Sequence, residues 1–118
     1  MKTTEIQSKP RPKLLHAQTK TVIDIPPNLS VIHIGKPNEE IPPDIDVSNL
    51  PNADVVSRVH AKISVEEGRY YYIEDLKSRN GTYLNGSLLK PATRRMLKIK
   101  DKIDLGKDNK VTFMVIEN

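Results

Sequence analysis

The stretch that most limits the fold runs from Ala61 to Leu89, where two strand-turn-strand units follow one another with no room for a helix between them. From Ala61 to Val65 apolar and polar residues alternate, Ala61, Ile63 and Val65 against Lys62 and Ser64, which is the period of a half-buried strand. Glu67-Gly68 is the expected turn. Arg69 to Glu74, with Tyr70, Tyr71, Tyr72 and Ile73 in a row, is too short and too rich in β-formers for a helix, so it reads as the returning antiparallel strand. A second pair follows: Thr82-Tyr83-Leu84, then Asn85-Gly86, then Ser87-Leu88-Leu89. Asn-Gly between apolar residues is the strongest short hairpin signal, because both turn positions need positive φ. A hairpin sets the residues before its first strand beside those after its second, so Ser57-Arg58 is expected near Ser78-Arg79-Asn80.

The remaining chain carries the same short-strand rhythm. Thr21 to Ile25 reads as a strand ended by Pro26-Pro27, with Leu29 to Gly35 as its expected neighbour. Lys36 to Val55, interrupted by Pro37, Pro42, Pro43 and Pro51, reads as a long loop with one brief strand near Ile45 to Val47. Met96-Leu97-Lys98-Ile99, Asp101 to Gly106 and Val111 to Ile116 are expected as the last strands, with a turn at Asp108-Asn109. Regular turn signals without an amphipathic helix predict an all-β, antiparallel β-sandwich or barrel. Residues 1–19 lack apolar periodicity and are expected to be a disordered basic tail, leaving 20–118 as one domain.

Composition narrows the function. Cysteine is absent, which excludes a disulfide framework, a thiolate metal site and a cysteine nucleophile, and fits a reducing compartment. No apolar run approaches bilayer-crossing length, so a soluble cytoplasmic monomer away from membranes is expected. The net charge of +4 would suit nucleic acid. Residues 1–20, however, hold Lys2, Lys9, Arg11, Lys13 and Lys20 against Glu5 alone, so the excess lies in the expected tail and the body is balanced. The run from Lys90 to Lys102 reads as a solvated basic face.

Enzyme chemistry has no platform. His16 falls in the tail, while His33 and His60 lack acidic or histidine neighbours at metal-ligand spacing, so no metal or cofactor is expected. Ser57 and His60, three apart at a strand entry, point to opposite faces unless the backbone is irregular, which weakens a nucleophile-base pair. The better reading has His60 bracing its loop by side-chain hydrogen bonds from a buried or half-buried place. A phosphate monoester site, by contrast, has its parts. The dianion needs fixed charge, a directing hydroxyl and turn amides, and Arg58, Arg79 and Ser57 supply the first two. Lys36, ending a strand after Gly35, joins them if that end of the sheet is shared.

Ser57-Arg58-Val59-His60-Ala61, a strand pair, then Ser78-Arg79-Asn80-Gly81-Thr82 and Asn85-Gly86 together resemble the signature of the forkhead-associated (FHA) domain. Ile34-Gly35-Lys36 and Asp104-Leu105-Gly106 stand where that family has a Gly-Arg pair and a late Leu-Gly, so the likeness covers roughly residues 20–118. It implies a β-sandwich that binds phosphothreonine in a partner protein through loops at one end, a signalling adaptor without catalysis. Carried over by position, Lys36 stands for the phosphate-binding arginine, Ser57 is the phosphate-binding serine, Arg58 and Arg79 flank the phosphate, and Asn80 holds the peptide main chain. Gly35, His60, Gly81, Thr82 and Asn85 shape the loops. Lys36 departs from the pattern, because an ammonium binds phosphate as a point charge and not through a bidentate fork. Two other readings stand beside this one: a small basic β domain for single-stranded nucleic acid, for which aromatic platforms are scarce, and an FHA fold that has lost phosphopeptide binding. The chain's own Thr3-Thr4-Glu5-Ile6 is a further candidate ligand if phosphorylated.

Overall fold

The computed structural model describes residues 11–117. Eleven strands form two sheets packed face to face: β1 (Pro12–His16), β2 (Thr21–Asp24), β3 (Val31–Gly35), β4 (Ile45–Asp46), β5 (Val59–Glu66), β6 (Tyr70–Asp75), β7 (Thr82–Leu84), β8 (Ser87–Leu88), β9 (Arg95–Met96), β10 (Lys102–Leu105) and β11 (Thr112–Glu117). One sheet runs β2-β1-β11-β10-β7-β8 and the other β4-β3-β5-β6-β9. All pairs are antiparallel except β3-β4. The alternation that marked β5 sends Ala61 and Ile63 inward, where they meet Ile32, Ile34 and Ile73 of their own sheet and Leu14, Ile103, Phe113 and Val115 of the other. Asn85 and Gly86 take the left-handed conformation expected of an Asn-Gly turn, at φ 52° and 86°, and Glu67 and Gly68 take it as well, at 55° and 65°.

Three expectations are corrected. The ordered chain begins before residue 20: Pro12–His16 pairs with both β11 and β2, burying Leu14 and His16, so this part of the expected tail is an inner strand of a sheet. Its pairing decides the matter. A five-residue strand with a proline at its start has little propensity of its own, but two ladders and a buried Leu14 offset that. In consequence β2 neighbours β1 and not β3, and Thr21–Asp24 lies in the opposite sheet from Val31–Gly35. The Thr3-Thr4 segment lies outside the described residues. Of the short strand expected over Met96 to Ile99 only Met96 is in a strand, the two-residue Arg95–Met96 that pairs with Tyr72 and Ile73.

The long stretch from Lys36 to Val55 is pinned at several points. The Asp44 carboxylate accepts from the His33 amide at 2.8 Å, Val47 is fully buried, and the Asn38 side chain bridges Lys36 and Ile41 carbonyls. A 3-10 turn at Ala53–Val55 then delivers the chain to Ser57. No helix among the described residues is long and apolar enough to cross a membrane.

Candidate functional site

The site is built on an irregularity at the start of β5. Ile34 pairs with Ala61 but Gly35 pairs with Val59, so His60 is an extra residue in its strand, and both His60 and Ala61 are buried. Such a bulge re-aims a side chain. Here it turns the imidazole into the space between two loops. Nδ1 accepts the Ser57 amide at 2.9 Å, which leaves the proton on Nε2 to be donated to the Gly81 carbonyl at 2.9 Å. Burial pushes the His60 imidazole below its usual range, with Lys36 adding to the effect and the Gly81 and Asp75 oxygens opposing it. The same bulge brings the Arg58 carbonyl so near Gly35 that a Cβ there would lie 1.9 Å from its oxygen. Only glycine fits. The Lys36 amide donates to that carbonyl at 2.9 Å and closes the end of β3 onto the site.

The second loop is shaped by Asp75, at the end of β6 and 2% exposed. Its carboxylate accepts from the Ser78 hydroxyl at 2.5 Å, the Ser78 amide at 3.2 Å and the Thr82 hydroxyl at 2.7 Å. Ser78 Oγ in turn accepts the Gly81 amide at 3.0 Å, and Gly81, at φ 85°, lets the chain reverse. Residues 78–82 therefore form a closed knot around one buried carboxylate. Asp75 was absent from the sequence expectations. Its signal was local, an Asp followed by Ser three residues later, the pattern of a side chain that caps the turn after it.

These loops are tied to each other. The Ser57 hydroxyl accepts the Arg79 amide at 2.9 Å, Asn80 Nδ2 donates to the Val55 carbonyl at 2.9 Å, and Lys36 Nζ donates to the Ala53 carbonyl at 2.9 Å. Ser57, Arg58, Arg79, Asn80 and Lys36 thus gather at one end of the sandwich, with Ser57 directed at the second loop and not toward a His60 general base. Arg58 and Arg79 are exposed, and among the described residues their guanidinium groups make no hydrogen bond or ion pair. Thr82 is buried in the Asp75 knot. Asn85 stands apart, bonding Asp101 and the Lys102 amide at 3.0 and 2.9 Å, where it sets the β7-β8 turn and not the loop cluster. Chemically, the cluster offers two free cations, a hydroxyl, an amide side chain and a lysine on a rigid base, a set suited to an oxyanion carried on an extended chain.

Fold and site together define a β-sandwich with a polar, cationic loop cluster at one end. The chain belongs to the FHA domain family: the family model matches residues 32–106. It is 53% identical over 102 residues to protein FraH of Nostoc sp., which covers 86% of this chain, while the chain spans only 35% of the length of that curated relative. Among solved structures, the FHA domain of an Arabidopsis thaliana hypothetical protein superposes with a TM-score of 0.73 at 26% identity, covering 98% of this chain and 94% of that one. The MEK1 FHA domain, solved with a phosphothreonine peptide of HOP1, superposes with a TM-score of 0.66 at 26% identity, covering 91% and 96%.

Proposed function

We propose that this domain is a phosphothreonine-dependent interaction module, holding a threonine-phosphorylated partner protein across the loops that carry Lys36, Ser57, Arg58, Arg79 and Asn80. The observation that carries the reading is the bond between the Ser57 hydroxyl and the Arg79 amide, which fixes the two loops so that the Arg58 and Arg79 side chains stand free beside a directed hydroxyl. Phosphate supplies the anchor through charge-assisted hydrogen bonds, and Asn80 holds the peptide main chain. The MEK1 domain with its phosphothreonine peptide lends support by likeness. Threonine is favoured over serine where its γ-methyl is buried, worth about 1 kcal/mol for a group of that size. Lys36 adds a point charge. It engages the phosphate by exchanging its bond to the Ala53 carbonyl for one to the ligand.

Fluorescence polarisation with a degenerate phosphothreonine peptide pool, beside phosphoserine and unphosphorylated pools, tests this. Binding restricted to the phosphothreonine pool and weakened at least about tenfold by Arg79→Ala is expected, since each lost charge-assisted contact is worth about 1.5–3 kcal/mol. Equal response to all three pools would sink the proposal.

A further inference from the structure

The far end of the sandwich, where β6 begins, is closed differently from the loop end. β9 keeps its ladder with β6 only at Arg95 and Met96, and the chain then leaves it. The Leu97 amide donates to the Tyr71 carbonyl in one sheet and the Lys100 amide to the Val115 carbonyl in the other, both at 2.7 Å. Residues 97–100 therefore form a strap from sheet to sheet, and beside it a cavity of about 220 Å³ remains. Its walls are apolar: Ile25, Leu97 and Val115 are buried core residues, and Tyr71 packs half-buried against them. Ile99, 41% exposed, carries that lining out to solvent. An apolar cavity of about 150 Å³ already admits a benzene-sized group, so this one has room for a phenyl or branched alkyl side chain.

The mouth is cationic. Arg69 and Lys98 line the same cavity and are exposed, and among the described residues neither side chain makes a hydrogen bond or ion pair. The Arg69 guanidinium lies only over the Tyr70 ring, 5.2 Å from its centre. Neighbouring carboxylates are engaged elsewhere, Asp24 with Lys13 at 3.2 Å, Glu66 with Arg94 at 2.6 Å and Asp101 with the Lys98 amide at 2.7 Å. Glu67 and Glu117 are exposed to solvent. An apolar interior with uncompensated positive charge at its mouth is the complement of an apolar group flanked by carboxylates.

We infer that this cavity is a second docking site, for a partner segment that inserts one phenylalanine or leucine side chain between the sheets and sets acidic neighbours against Arg69 and Lys98. It is independent of the phosphothreonine reading. β6 runs from Arg69 at the cavity to Asp75 in the loop cluster, about 20 Å by the rise of a strand, so one domain has room for both segments at once.

Four capped tripeptides, Asp-Phe-Asp, Asp-Ala-Asp, Ser-Phe-Ser and Lys-Phe-Lys, titrated into the isotope-labelled chain and followed by backbone NMR, decide it. Asp-Phe-Asp is expected to give saturable shifts at Tyr71, Leu97, Ile99 and Val115 and none at Ser57, Arg79 or Asn80. It binds at least about tenfold more tightly than Asp-Ala-Asp, the scale of one buried aromatic side chain, and about fivefold more tightly than Ser-Phe-Ser, the scale of two exposed ion pairs. In the double variant Arg69→Glu, Lys98→Glu the preference reverses toward Lys-Phe-Lys. Both side chains are exposed, so the variant is expected to melt with the parent, and the gained Lys-Phe-Lys binding excludes misfolding. Absence of saturable shifts at the cavity, equal response to Asp-Phe-Asp and Asp-Ala-Asp, or an acidic preference that survives in the double variant overturns the inference and leaves the phosphothreonine reading standing.

Discussion

At the scale of the residue, His60 and Asp75 do the organising that the exposed groups depend on. His60 works only as the neutral Nε2-H tautomer, because Nδ1 must accept the Ser57 amide. Its folded-state affinity for protons is depressed by burial, and so is that of His16, which is packed on Phe113 with its Nε2 unpaired among the described residues. The unfolded chain therefore takes up protons first as pH falls. Stability is full above the ordinary histidine value of 6.5, declines as pH drops from there toward the lowered folded values, and levels below them. Thermal melts between pH 8 and 5 are expected to show this decline and to show a shallower one in His16→Leu; a flat profile in the parent would contradict the neutral, buried histidines. Asp75→Ala strands the Ser78 and Thr82 hydroxyls and loosens the turn, and is expected to cost about 2–4 kcal/mol in urea denaturation while weakening peptide binding through lost geometry. Ser57, His60, Asn80 and Gly81 were legible in the sequence because their spacing around a hairpin is distinctive. Asp75 was not, since a lone Asp at a strand end reads as an ordinary surface charge until its three donors are seen.

At the scale of the element, the bulge in β5 and the glycine facing it form one device. Without the extra residue, His60 would follow the strand alternation and face away from Gly81; without Gly35, the Arg58 carbonyl could not approach. Gly35→Ala is expected to destabilise the domain by about 3 kcal/mol or more, because the clash is with backbone that cannot rotate aside. Chemical denaturation reads it, and a loss under about 1 kcal/mol would mean that β3 and β5 separate more readily than this packing implies. Hairpins β5-β6 and β7-β8 were readable because period-2 alternation and Glu-Gly or Asn-Gly turns are local signals. The partnership of β2 was not. Thr21–Asp24 looks equally ready to pair with the strand after it, and what decides is β1, whose Lys13-Leu14-Leu15-His16 carries no clear alternation and gains its stability from β11, nearly the whole chain away in sequence.

At the scale of the whole molecule, the two sheets serve as a rigid mount for loops at one end, and β1 is part of that mount. Removing residues 1–19 takes away the inner strand between β2 and β11 and uncovers Phe113 and Val115. The shortened chain is expected to lose at least about 3 kcal/mol or to fail to fold, as read by circular dichroism. Residues 21–118 hold 14 Lys and Arg against 14 Asp and Glu, so the cations of the loop cluster are offset by carboxylates elsewhere on the body. The central claim is that Ser57 links the two loops into one phosphothreonine receptor. Backbone NMR titration with a phosphothreonine peptide pool, repeated in Ser57→Ala, tests it most directly. Shifts centred on Lys36, Ser57, Arg58, Arg79 and Asn80, seen with phosphothreonine and not with the unphosphorylated pool and lost in the variant, are the result expected. Shifts that persist undiminished in a folded Ser57→Ala protein, or that centre on the sheet faces instead, would contradict it.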